Sequence, residues 1–220
     1  MDMTTDQKEI YDTIRKTRTT GVQGPFKAWL GCPAICDAAQ NLGRVCRYEL
    51  QHIDRCETEL VILMTAIRHK SKTEYTIHRG EALKVGLTES VVDALWNPFD
   101  APVFASDRHA IVHEFAAAVL VDSSAIPQGL YNRAQDALGA EALVEITSLI
   151  GYYVFVALTL NTFNIVPEGD AVVKSGGDGK NGYDEEERGA RQLRCFICQL
   201  ETHTTDQCPM KIPSLPRDSS

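Results

Sequence analysis

Glu59 to Gly86 reads ELVILMTAIRHKSKTEYTIHRGEALKVG, and the fold turns on this window. Leu60, Val61, Leu63, Met64 and Ile67 recur at helical spacing, so the first part predicts an apolar helix. A second helix is predicted near 72–85, closed by Gly86 as the residue after its C-cap. Ser71, Glu74 and His78 stand at i, i+3 and i+7, which aligns them along one face of that second helix. Glu59 lies on the preceding helix, where a helical hairpin brings it alongside. Two carboxylates and an imidazole held together suit general acid–base chemistry. Burial raises a carboxyl pKa, and a neighbouring carboxylate favours protonated His78. A structural reading competes with this one. Ser71-Lys72-Thr73-Glu74 also fits a capping box, with Ser71 as N-cap and Glu74 reaching back to it.

Outward from the window the same periodicity continues. Residues 5–17 predict a polar helix, and Gly21, Gly24, Pro25, Gly31 and Pro33 break any long element between 20 and 34. From about 34 the pattern is helical. Thr88 reads as an N-cap, with Glu89 and Asp93 near the positive end of a short helix through Leu95. Pro98 and Pro102 stop that helix. Asp107 starts another, carrying Ile111, Val112, Phe115, Ala116, Val119 and Leu120. Pro127 opens a segment through Leu138 closed by Gly139, and a long apolar helix follows from about 141 to 163. No stretch shows a sustained period of two, so the predicted class is all-α. The organisation expected is an N-terminal helical extension over 1–19, a helical domain over 20–168, a linker over 169–190, a metal-binding module over 191–210 and a tail over 211–220.

The 220 residues carry a formal net charge of −8, which provides no general attraction to nucleic acid or an anionic membrane. The first ten residues are polar and lack the apolar core of a signal peptide. The longest apolar stretch, near Leu149 to Leu160, is interrupted by Gly151 and Thr159 and reads as a buried helix. An intracellular, cytoplasmic protein without a membrane partner is therefore expected. Seven cysteines fall into two groups. Cys32, Cys36, Cys46 and Cys56 read as free, partly buried thiols. His109 and His113, at i and i+4, have metal-binding spacing but no evident third ligand, and read as a solvated helix face.

The second cysteine group carries the strongest spacing signal. Cys195, Cys198, His203 and Cys208 give C-x2-C-x4-H-x4-C, and three thiolates with one imidazole satisfy tetrahedral Zn2+. In so short a segment the metal supplies most of the folding free energy. The pattern resembles the CCHC zinc knuckle, a module that implies single-stranded nucleic acid as partner. Arg188, Arg191 and Arg194 precede the site, and Phe196 can stack on a base. Gln199 and Thr202 replace glycines often found in that family, and Asp184 to Glu187 repel phosphate, so a protein partner is the alternative.

The window at 59–86 resembles the core motif of the carboxymuconolactone decarboxylase and alkylhydroperoxidase D superfamily. The peroxidase branch has E-x11-C-x2-C-x3-H, which falls on Glu59, Ser71, Glu74 and His78. Both thiols are absent, and Ser and Glu cannot form a sulfenic acid or a disulfide. Glu74-Tyr75-x-x-His78 instead resembles the decarboxylase-like branch. Gly24-Pro25-Phe26 with Trp29 resembles that family's opening, and Gly151-Tyr152-Tyr153 with Asn161 and Phe163 its closing helix. The likeness spans roughly residues 20–168. It implies a helical enzyme needing no cofactor for catalysis and assembling as a homo-oligomer, a trimer or hexamer. The implied substrate is a small carboxylic acid or lactone, such as a carboxylated lactone or polyketide-type acid of a specialised pathway. His78 is implied as proton donor or shuttle, with Glu74 and Glu59 orienting and tuning it. Tyr75, Ser71 and Tyr152 are expected around the substrate. Two alternatives stay open: an oligomeric protein presenting zinc knuckles to RNA or protein, and a thiol peroxidase using other cysteines such as Cys32, Cys46 or Cys56.

Overall fold

The computed structural model describes residues 3–17, 21–97 and 100–166, and every described element is helical. Cys195, Cys198, His203, Cys208 and the linker and tail assigned to 169–190 and 211–220 lie outside the described residues.

The helix α4, Arg55–Arg68, forms the centre. Its residues from Cys56 to Ala66 are all buried, as expected of a helix surrounded by others rather than one with a solvated face. It begins at Asp54, whose carboxylate accepts from the Glu57 backbone N–H at 2.8 Å while Glu57 accepts from the Asp54 N–H at 2.9 Å. That reciprocal pair is a capping box. The loop ahead of it is clamped by Glu145, which accepts from the backbone N–H groups of Gln51, His52 and Ile53 at 2.8–3.0 Å.

A tight connection returns the chain onto α4. Lys70 adopts a left-handed φ of 53°, the Ser71 N–H reaches back to the Ala66 carbonyl at 2.8 Å, and Asn161 donates to the His69 carbonyl at 2.8 Å. The helix α5, Lys72–Lys84, then packs along α4 as the predicted hairpin. Gly86, φ 108°, ends it through the Leu87 N–H to Ala82 carbonyl bond. The Ser71 capping box does not form, because the Ser71 side chain makes no cap bond and Glu74 points elsewhere.

The other helices wrap this pair. They are α1 (Thr5–Thr17), α2 (Phe26–Trp29), α3 (Pro33–Tyr48), α6 (Glu89–Trp96), α7 (Asp107–Asp122), α8 (Gln128–Leu138) and α9 (Ala140–Thr162). Thr88 caps α6 as expected, accepting from the Val91 N–H at 3.3 Å. The helix α1, expected as an extension, packs on α3 with Ile14 fully buried. The helix α9 is long and apolar enough to cross a membrane by length and composition alone. Here it packs against α3, α4, α5, α7 and α8, burying Leu143, Ile146, Leu149, Ile150 and Val156 among others. Gly43 of α3 faces it, at a place where a Cβ would collide with the Tyr152 phenol oxygen, so glycine sets the spacing of these two helices.

Candidate active site

Because α4 is buried on all sides, its two inward carboxylates need partners inside the protein. Glu57 is met by Arg108, whose Nε and Nη2 donate at 2.6 and 3.3 Å. Glu59, fully buried, accepts from His78 Nδ1 through Oε2 at 2.6 Å and from Arg55 Nη2 through Oε1 at 3.1 Å. The hairpin thus brings together the carboxylate and imidazole expected from the sequence.

The other side of His78 faces an open cleft of about 310 Å³, within the range of small-molecule sites. Arg47 of α3 lies there, with Nη1 3.3 Å from His78 Nε2 and donating to the Tyr153 phenol oxygen at 3.5 Å. Tyr153 meets the imidazole edge-on at 5.2 Å. A guanidinium has donors only, so this contact requires a lone pair on Nε2 and places the ring proton on Nδ1, toward Glu59. The charge balance agrees. Burial pulls the His78 pKa below the usual imidazole value, outweighing the upward pull of the Glu59 hydrogen bond and charge. Glu59 favours protonated His78, as expected, but desolvation is the larger effect and the imidazole pKa falls below its ordinary value.

Glu74 lines the same cleft. It is 2 % exposed, and neither carboxyl oxygen has a hydrogen-bond partner. Burial therefore pushes its pKa well above the usual carboxyl range, with the nearby Arg47 charge only partly offsetting. On adjacent turns of α5, burial thus disfavours the charged form of both the Glu74 carboxyl and the His78 imidazole. A residue pair whose environments separate protonation states in this way is a common sign of acid–base machinery.

The expected substrate contacts divide. Tyr152 lines the cleft, beside Gly43, Phe26 and Val156. Tyr75 does not. It sits on the opposite side of α5, its ring 4.4 Å from Trp96 and its hydroxyl donating to the Val92 carbonyl at 3.4 Å, so it fastens α5 to α6. Ser71 is buried at the start of α5 and is not among the cleft residues. Arg47 belongs to no spaced motif and was missed, though it lies one turn from Gly43 and the two share the cleft. Tyr153 stands in the closing-helix string but carries no expected site role.

The remaining groups of interest lead elsewhere. Cys32 is exposed, while Cys36, Cys46 and Cys56 are buried, and none of the four is in a disulfide. Burial raises the Cys46 pKa and, with Asp54 and Glu57 nearby, takes Cys56 to about 11. Raised thiols hold little thiolate and make poor peroxidatic nucleophiles. His113 packs on Phe104 at 5.3 Å beside a hollow of about 60 Å³, so the two-histidine face is not simply solvated. His109 approaches Asp54 and Glu57 instead, but those carboxylates are engaged in the capping box and by Arg108.

No model of a known protein family matches the sequence, and no curated protein matches it. Solved structures do resemble this one, among them the following two. An uncharacterized peroxidase-related protein from Silicibacter sp. TM1040 aligns with TM-score 0.64 at 13 % identity, over 77 % of this chain and 88 % of that one. A protein of unknown function from Agrobacterium tumefaciens, proposed to be the antioxidant defence protein AhpD, aligns with TM-score 0.55 at 19 % identity, over 66 % of this chain and 99 % of that one. The chain therefore has the all-α AhpD-like fold.

Proposed function

We propose that the protein is a decarboxylase-like lyase that moves protons without thiol chemistry, acting on a small carboxylated lactone or polyketide-type acid. One observation carries this reading. His78 is fixed by Glu59 at 2.6 Å and turns Nε2 toward a cleft that also holds the buried, unpartnered carboxyl group of Glu74.

In such a reaction the carbon–carbon bond to the departing carboxylate breaks and its electron pair passes into the conjugated carbonyl of the substrate. Carbon dioxide leaves and an enolate remains. Glu74, kept neutral, donates a hydrogen bond to the enolate oxygen, the role for which a buried carboxylic acid is suited. His78 takes a proton from water at Nε2 and delivers it to carbon, and Glu59 stabilises the imidazolium while it lasts. Each turnover consumes one proton and returns both side chains to their starting state.

The fold neighbours are described as peroxidase-related and antioxidant proteins. A thiol peroxidase reading is disfavoured for this chain by Ser71 and Glu74 at the redox positions and by the raised Cys46 and Cys56.

The test is a panel of carboxylated butenolides and β-keto acids incubated in D2O, followed for CO2 release and deuterium at the carbon that carried the departing carboxyl group. Wild-type protein is expected to label the product once. His78→Ala, folded by circular dichroism, is expected to lose about 10²–10⁴-fold in rate, the usual size of a general acid–base contribution. Unchanged turnover in His78→Ala refutes the assignment.

A further inference from the structure

Arg47 is a cation in the cleft that forms no direct ion pair with a carboxylate among the described residues, the nearest balancing charge being that of Glu59 beyond His78. Its polar contacts there are Nε2 of His78 at 3.3 Å and the Tyr153 hydroxyl at 3.5 Å, both long, and its guanidinium lies over the Tyr48 ring at 5.7 Å. Its Nε is buried without a partner. The one carboxyl group lining the cleft, Glu74, lies beyond hydrogen-bonding reach of it, with both oxygens unpartnered. Arg47 thus brings a positive charge into this cleft. In a chain of net charge −8 this is a local reversal of sign. The rest of the wall is apolar and aromatic, including Phe26, Tyr152, Val156 and Leu160.

A guanidinium with unused donors, set in a largely apolar cleft, matches a planar oxyanion on an organic body. We propose that Arg47 is the anion anchor of this cleft and selects an organic carboxylate, or an equally acidic enol, against its uncharged counterparts. The assignment rests on the cleft being the reactive site, as proposed above, and adds which part of the substrate faces α3. The anchored group is one the reaction keeps. A guanidinium clamped on the departing carboxylate stabilises the ground state and opposes its loss. On binding, the oxyanion draws Arg47 off His78 Nε2 and leaves that lone pair free for a proton.

Furan-2-carboxylate, its neutral isostere furan-2-carboxamide, and inorganic phosphate serve as probes. Binding to the full chain is followed by calorimetry and by the ring resonances of His78, with exposed His52 as the internal control. The carboxylate should bind about tenfold or more tighter than the carboxamide, the scale of one charge-assisted pair. It should shift His78 and leave His52 unmoved. R47Q should erase the preference. R47K, which keeps the charge and loses the fork, should show a reduced preference, and it stands as the test if R47Q does not fold. Equal binding of acid and amide, no binding of either, or an undiminished preference in R47K overturns the assignment. Phosphate binding as tight as the carboxylate also overturns it, by showing that the apolar wall selects nothing. These readings need no turnover. An intact preference together with an inert decarboxylation panel would refute the reaction and keep the anchor, and the reverse pairing would do the opposite.

Discussion

Glu74 sits inside the protein with two oxygens that no hydrogen bond satisfies, which is costly for a carboxylate and tolerable for a carboxylic acid. The sign of its effect on stability follows. Its folded pKa lies above the unfolded value, so its contribution is complete below about pH 4.3 and is lost as pH rises toward the folded value. His78 acts oppositely, its folded pKa lying below the ordinary one, with stability lost as pH falls below about 6.5. Glu74→Gln removes only the first effect. The melting temperature of Glu74→Gln relative to wild type should therefore climb as pH rises from about 5. A constant difference would mean that Glu74 is ionised and paired. At this scale Glu59, Glu74 and His78 could be found in the sequence, because their spacing on two consecutive helices fixes their faces. Arg47 could not, because it arrives from α3 through tertiary packing, with no local spacing linking it to His78. Tyr152 was legible but its neighbour Tyr153, one residue on, is the ring that touches the imidazole.

Two sequence strings fit a capping box, at Asp54–Glu57 and at Ser71–Glu74, and only the first forms. The pattern cannot rank them. What separates them is where the second carboxylate goes: Glu57 bends back to the cap, while Glu74 faces the cleft. The helix α4 was read as apolar on one stripe, yet it is enclosed on all sides, which brings Glu57 into the core and makes Arg108 its only ion-pair partner among the described residues. Arg108→Met should destabilise the domain by about 3 kcal/mol, the lower end for stranding a buried charge, since Arg108 is itself partly solvated. Glu57→Gln combined with it should cost less than Arg108→Met alone, measured by denaturant unfolding; a larger cost for the pair contradicts the stranded-charge account. Gly43→Ala should cost about 1–3 kcal/mol by overpacking α3 against the Tyr152 phenol oxygen and ring carbons, and Tyr152→Leu in the same chain, which removes the ring, should restore much of it. If the double variant is no more stable than Gly43→Ala, the contact is not the cause.

For the molecule as a whole, the all-α class followed from breakers and periodicity that recur along the chain, and the boundaries of α6, α7 and α8 were legible from Thr88, Asp107, Pro127 and Gly139. The partners are matters of proposal. Exposed apolar residues on α3 (Leu42, Val45, Tyr48) and on α9 (Phe155, Leu158) support a homo-oligomer, which light scattering of the full chain would count. The zinc proposal is separable from the helical domain. Full-length protein should retain one Zn2+ per chain by elemental analysis, and Cys198→Ser should lose it while leaving the helical melting transition unmoved. Zinc at wild-type level in that variant would remove Cys198 from the ligand set. Central to the whole account is a single proton, the one on the His78 ring. The most direct measurement is the ¹⁵N spectrum of that imidazole at pH 7 in the intact protein. The account predicts a protonated Nδ1 facing Glu59 and an unprotonated Nε2 facing the cleft; a proton on Nε2, or on both nitrogens, would contradict it.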